Sequence, residues 1–89
     1  MEIEFDAVKD ALNRKKHGVS LELARALVWE EAYAWPDERF DYEEWRMSAL
    51  VPCGDRLYCV SYVDRGEARR VISLRTANRE EVKTYARNC

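Results

Sequence analysis

Arg70-Val-Ile-Ser-Leu-Arg-Thr-Ala-Asn-Arg-Glu-Glu-Val-Lys-Thr-Tyr85 carries an arginine-studded apolar run directly into a helix signal. The β-branched, alternating stretch from Arg69 to Arg75 predicts a strand. Asn78 followed three residues later by Glu81 is a capping-box pattern that starts a helix, with Val82, Tyr85, Ala86 and Cys89 as its expected buried stripe. Working backwards, Leu57 to Val63 and Arg46 to Val51 read as two more strands. Cys53-Gly-Asp-Arg56 and Asp64-Arg-Gly-Glu67 read as the hairpin turns between them. Strands joined this closely run antiparallel, because parallel neighbours need a crossover of a dozen or more residues. Ala32 to Trp35 predicts a further strand stopped by Pro36, and 37–44 a charged loop.

Towards the N-terminus, Ile3 and Phe5 alternate with acids as in a short edge strand. Asp6 caps a first helix with Val8, Ala11, Leu12 and Lys15 on one face, ended by Gly18. Ser20 caps a second, with Leu21, Ala24, Leu27 and Val28 inward. The expected fold is a single α+β domain over 1–89. It is an antiparallel β-meander covered on one face by an N-terminal helical hairpin and a C-terminal helix.

The chain has 89 residues, too few for separate cofactor and substrate domains. With 47% hydrophobic residues and three tryptophans it has the composition of a folded core. There is no apolar run of membrane-spanning length, and the acidic start Met-Glu-Ile-Glu differs from a signal peptide, so a cytoplasmic location with no membrane partner is expected. Cys53, Cys59 and Cys89 lack zinc spacing and read as free thiols, with one histidine, His17, in the chain. The acids Asp37, Glu38, Asp41, Glu43 and Glu44 have no EF-hand spacing and read as a solvated loop, so no metal and no cofactor is expected.

Charge is segregated along the chain. Residues 1–64 hold 8 Lys/Arg against 14 Asp/Glu, whereas residues 65–89 hold 7 against 3. Arg46, Arg56, Arg65, Arg69, Arg70 and Arg75 lie on or beside the meander. An always-charged guanidinium forks onto two phosphate oxygens, and a strand holds it more rigidly than a loop does. Strict alternation would put Arg69 and Arg75 on the side of Val71 and Ser73, and Arg70 on the side of Ile72 and Leu74. The bland alternative pairs these arginines with Glu43, Glu44, Glu67 or Glu80. Equally, Tyr85 at helical spacing suits a core position, and Lys15, Lys16 and His17 suit a helix C-terminus.

The pattern Arg70, Ile72, Ser73, Arg75, Ala77, Asn78, Glu81 and Tyr85, together with Lys16-His-Gly-Val19, resembles the BrnT family of bacterial type II toxins. The resemblance covers nearly the whole chain, with departures at Glu43, Trp45 and Thr76. It implies a RelE-like fold and a toxin that cleaves RNA through the 2′-hydroxyl without a metal, inhibiting translation and growth. A cognate ribbon-helix-helix antitoxin would neutralise it and alone contact operator DNA. The residues then expected at the catalytic site are Arg75, Tyr85, Arg46, Arg70, His17 and Glu44, with Lys15, Lys16, Arg69 and Arg79 as RNA contacts. The rival is a non-catalytic RelE-like module that acts through antitoxin docking and operator regulation.

Overall fold

The computed structural model describes residues 1–37 and 44–89. The order is β1 (Glu2–Glu4), α1 (Ala7–His17), two 3-10 segments (Leu21–Ala26 and Trp29–Glu31), β2 (Tyr33–Pro36), β3 (Arg46–Cys53), β4 (Arg56–Arg65), β5 (Ala68–Thr76) and α2 (Arg79–Asn88). The five strands form one sheet in the order β1-β5-β4-β3-β2. Strands β2 to β5 form an antiparallel meander, as the short turns between β3, β4 and β5 demand, with β2 added across residues 37–45. Each of the β3–β4 and β4–β5 loops has two residues, with Gly54 (φ 62) and Gly66 (φ 61) in first place, where a turn matching strand twist needs positive φ. β1 joins the far edge parallel to β5, so the sheet is mixed.

The core lies on one face of the sheet. Ala49, Val51, Tyr58, Val60, Tyr62, Val71 and Leu74 pack there with Leu21 and Ala24 from the first 3-10 segment and Leu27, which caps it. The expected second helix is thus a 3-10 segment: three of its four predicted inward residues are buried, but Val28 is exposed and donates its N–H to the Pro52 carbonyl at 2.9 Å.

α1 turns the opposite face to the one its apolar residues suggest. Val8 and Leu12 are 68% and 61% exposed, whereas Asn13 is buried. β1 pairs with β5 only as far as Arg70, which leaves Leu74 on an open edge. The Asn13 carboxamide fills it, donating to the Leu74 carbonyl (2.8 Å) and accepting from the Leu74 N–H (3.1 Å). Beside it, Asp10 accepts from Ser20 Oγ and the Leu21 N–H, tying α1 to the 3-10 segment. Buried backbone groups need partners more than a short helix needs to hide two aliphatic side chains.

α2 also departs from expectation. Its capping box forms, but none of its residues is buried; Val82, Ala86 and Cys89 are exposed and Tyr85 is half-buried. It lies on the face opposite the core and the first 3-10 segment, since its Glu81 reaches Arg75 and Cys59, whose neighbours Leu74 and Val60 point into the core. Helices therefore flank both faces rather than one.

Candidate functional site

A β-bulge decides which arginines share a face. Between Ser61↔Ser73 and Tyr62↔Val71 the register slips, so Ile72 is the extra residue on β5. The consequence is visible in burial: Val71 and Leu74, an odd number of residues apart, both lie in the core. Arg70 and Arg75 therefore project from the same, open face, and Arg69 from the other. This reverses the strict alternation predicted from the sequence, because an inserted residue shifts the side-chain parity beyond it.

Three register rows cross the open face. One is Glu4, Arg70, Val63 and Arg46; the next is Ser73, Ser61, Ser48 and Trp35; the third is Arg75, Cys59, Leu50 and Tyr33. Arg46 and Arg70 thus flank Val63 two strand spacings apart, about 10 Å between backbones. Between the arginine rows the serines floor a cleft of about 510 Å³, lined also by Trp35, Asp37, Cys59, Arg75 and Glu81.

Arg75 forks onto Glu81, with N–O distances of 2.8 and 2.9 Å. Glu81 also accepts from the Asn78 N–H, so the capping box that starts α2 holds this guanidinium as well. Those bonds push the Arg75 pKa up and hold the Glu81 carboxyl below its usual range, with burial opposing both shifts. At the other end of the face Arg70 lies 3.6 Å from Glu4, and Arg65 forks onto Glu44 at 2.5 and 2.8 Å. The hydrogen bond from Arg65 lowers the Glu44 pKa, with Arg70 and Arg46 adding attraction, so Glu44 stays ionised. Arg46 Nε is buried without a hydrogen-bond partner. Arg75 is thus met by a carboxylate of its own third, whereas Arg65, Arg69 and Arg70 are met by Glu44, Asp64 and Glu4 from earlier in the chain.

The remaining expected residues are dispersed. His17 lines a second hollow with Lys9, Leu12, Asn13, Lys16, Ile72 and Ser73. Ser73 belongs to both hollows, so they meet across the free edge of β5. Desolvation, then Lys16 and Arg75, lower the His17 pKa from its usual 6.5, which keeps the imidazole neutral at pH 7. Tyr85 is not among the described residues lining the arginine cleft; its hydroxyl donates to the Glu31 carbonyl at 2.7 Å, and it lines a separate hollow with Glu30 and Cys89. Burial pushes its phenol pKa up. Arg69 sits on the core-facing side, its guanidinium 4.7 Å from the Trp29 ring centroid and 4.2 Å from that of Tyr62, forked onto Asp64. Lys15, Lys16 and Arg79 are exposed.

Asp37 departs from the solvated loop that its sequence neighbours predict. It is 7% exposed, accepts from Ser48 Oγ at 3.2 Å and forms part of the cleft wall. The signal lay in its place just after a strand end, which no spacing motif marks. Glu38, Asp41 and Glu43 lie outside the described residues. Among the described residues no three His, Cys, Asp or Glu side chains group as metal ligands, and no helix is long and apolar enough to cross a membrane.

Comparison with protein families matches residues 5–81 to the ribonuclease toxin, BrnT, of type II toxin-antitoxin systems. No curated protein matches the chain.

Proposed function

The chain belongs to the BrnT family of ribonuclease toxins of type II toxin-antitoxin systems, and from that premise we propose that RNA is held and cut in the arginine cleft of the open face. The observation that carries this reading is the bulge, which brings Arg70 onto the face that holds Arg75 and Arg46, on either side of the serine row, while Arg69 is drawn to the other side. Family membership brings an antitoxin partner and an RNA substrate.

The 2′-hydroxyl of RNA is an internal nucleophile, so the enzyme needs charge stabilisation and proton transfer rather than a nucleophile of its own. Arg75, tethered by Glu81, stabilises the charge that develops on the scissile phosphate. Arg70 and Arg46 hold adjoining phosphates. Neutral His17, beside the shared Ser73, is the proton acceptor this arrangement favours. Glu44 is a weak base in its pairing with Arg65. Tyr85 serves chiefly to anchor α2, and through it Glu81 and Arg75. Cleavage proceeds without a metal. The fold is the RelE-like arrangement of a meander with flanking helices. In the cytoplasm the enzyme inhibits translation and growth until a ribbon-helix-helix antitoxin covers this face, and that antitoxin supplies the operator contacts.

The test is RNA cleavage by purified native and Arg75→Ala chains, with and without EDTA, alongside growth on induction. Loss of one preorganised charge-stabilising donor should cost roughly 100- to 1,000-fold in rate, and EDTA should change nothing. Equal activity and toxicity of Arg75→Ala would overturn the reading, and activity only on adding Mg²⁺ or Mn²⁺ would overturn its metal-free part.

A further inference from the structure

Trp35 is the one large aromatic side chain among the described residues lining the arginine cleft, and no charge-stabilising role accounts for it. It sits at the end of the serine row, paired in register with Ser48, which pairs with Ser61, which pairs with Ser73. Strand alternation places it on the same face as Arg75, three strands away. Three strand spacings and a two-residue offset along the strand put the backbones about 16 Å apart, a span that two long side chains reaching inward reduce to the scale of one nucleotide. The Tyr33 ring, 5.8 Å from the Trp35 ring and tilted by 44°, braces the indole from the neighbouring row.

An indole wall beside a hydroxyl-lined floor, with a guanidinium at the far side, matches the three parts of a nucleotide. The aromatic wall takes a base face, serine hydroxyls take base or sugar polar edges, and the arginine takes the phosphate. We propose that Trp35 forms a nucleobase-stacking subsite for single-stranded RNA, setting the position of the chain whose phosphate Arg75 holds. The proposal rests on the ribonuclease reading and adds to it a residue that selects unpaired substrate. A base inside a duplex offers no free face to an indole, so double-stranded RNA is excluded from the subsite.

The experiment measures binding of a short 2′-O-methyl RNA, which cannot be cleaved through the 2′-oxygen, to native, Trp35→Phe and Trp35→Leu chains. Circular dichroism confirms that each is folded, and inorganic phosphate serves as a second probe. Trp35→Leu should weaken oligonucleotide binding roughly 5- to 150-fold, equivalent to about 1–3 kcal/mol of stacking, and leave phosphate binding unchanged. Trp35→Phe, which keeps a π face, should retain most of the affinity. Native affinity in folded Trp35→Leu, equal losses in the Phe and Leu variants, or no oligonucleotide binding by the native chain would each overturn the subsite. Cleavage of RNA by a Trp35→Leu chain with unchanged affinity would sink the subsite alone. Trp35-dependent binding without any cleavage of natural RNA would sink the ribonuclease reading and leave the subsite standing.

Discussion

Replacing Asn13 by leucine preserves side-chain size while removing every hydrogen bond its carboxamide makes. In the native chain that group donates to the Leu74 and Val19 carbonyls at 2.8 and 2.9 Å and accepts from the Leu74 N–H at 3.1 Å. The two bonds to Leu74 are buried, so the variant strands one donor and one acceptor. At about 1–3 kcal/mol for each orphaned group, and with some relief from water at the strand edge, a loss of about 3 kcal/mol is expected. A chain of this length has a total stability of roughly 4–13 kcal/mol. The loss corresponds to a fall in Tm of about 12–24 °C. Urea unfolding followed by circular dichroism should show a lower midpoint at an unchanged slope. Because Asn13 pins α1 to the arginine-bearing strand, RNA cleavage should fall as His17 and Lys16 lose their position beside Ser73. A destabilisation under about 1 kcal/mol would refute the argument, since it would mean that the edge of β5 is satisfied without α1.

Arg69→Ala should lower stability by about 1–2 kcal/mol, through lost stacking on Trp29 and Tyr62, yet leave cleavage near native; a cleavage defect at matched folding would return Arg69 to the RNA face. Tyr85→Phe removes the bond to the Glu31 carbonyl and should cost about 0.5–1.5 kcal/mol, with cleavage mostly retained; a folded but inactive variant would make the phenol catalytic. Arg75 holds the Glu81 carboxyl below its usual 4.5, so the stabilisation is complete above that pH and is lost as pH falls through the lower folded value. Acid titration of Glu81→Gln should lack that part of the loss, and an unchanged profile would contradict it. The lowered pKa of His17 has its consequence nearer neutrality. Below 6.5 the unfolded chain takes up the proton first, so stability declines as pH falls from 6.5 towards the folded value. NMR titration of the imidazole should give a midpoint below 6.5, and one above it would remove His17 as a neutral acceptor at pH 7.

The local signals that determined structure by themselves were those whose physics is completed within a few residues. Gly54 and Gly66 dictate two-residue turns and hence the antiparallel meander. Asn78 and Glu81 close their capping box with each other, and the arginine-rich strand is legible from its own composition. The family resemblance rests on that strand and helix start, from Arg70 to Tyr85, together with Lys16-His-Gly-Val19. What required the tertiary structure was every choice of side. α1 buries Asn13 in place of Val8 and Leu12 because β1 covers the β5 edge only as far as Arg70 and leaves Leu74 to be paired by a side chain. α2 crosses to the open face because Glu81 finds Arg75 there, and the arginines sort into one site and one outlier because β4 and β5 pair across a bulge. Trp35 and Asp37 enter the cleft through the register of β2 on β3, which pairs Trp35 with Ser48 and sets Asp37 to accept from the Ser48 hydroxyl. Alternation along a strand records which residues share a face only while register is unbroken, and register belongs to the pair of strands rather than to either one.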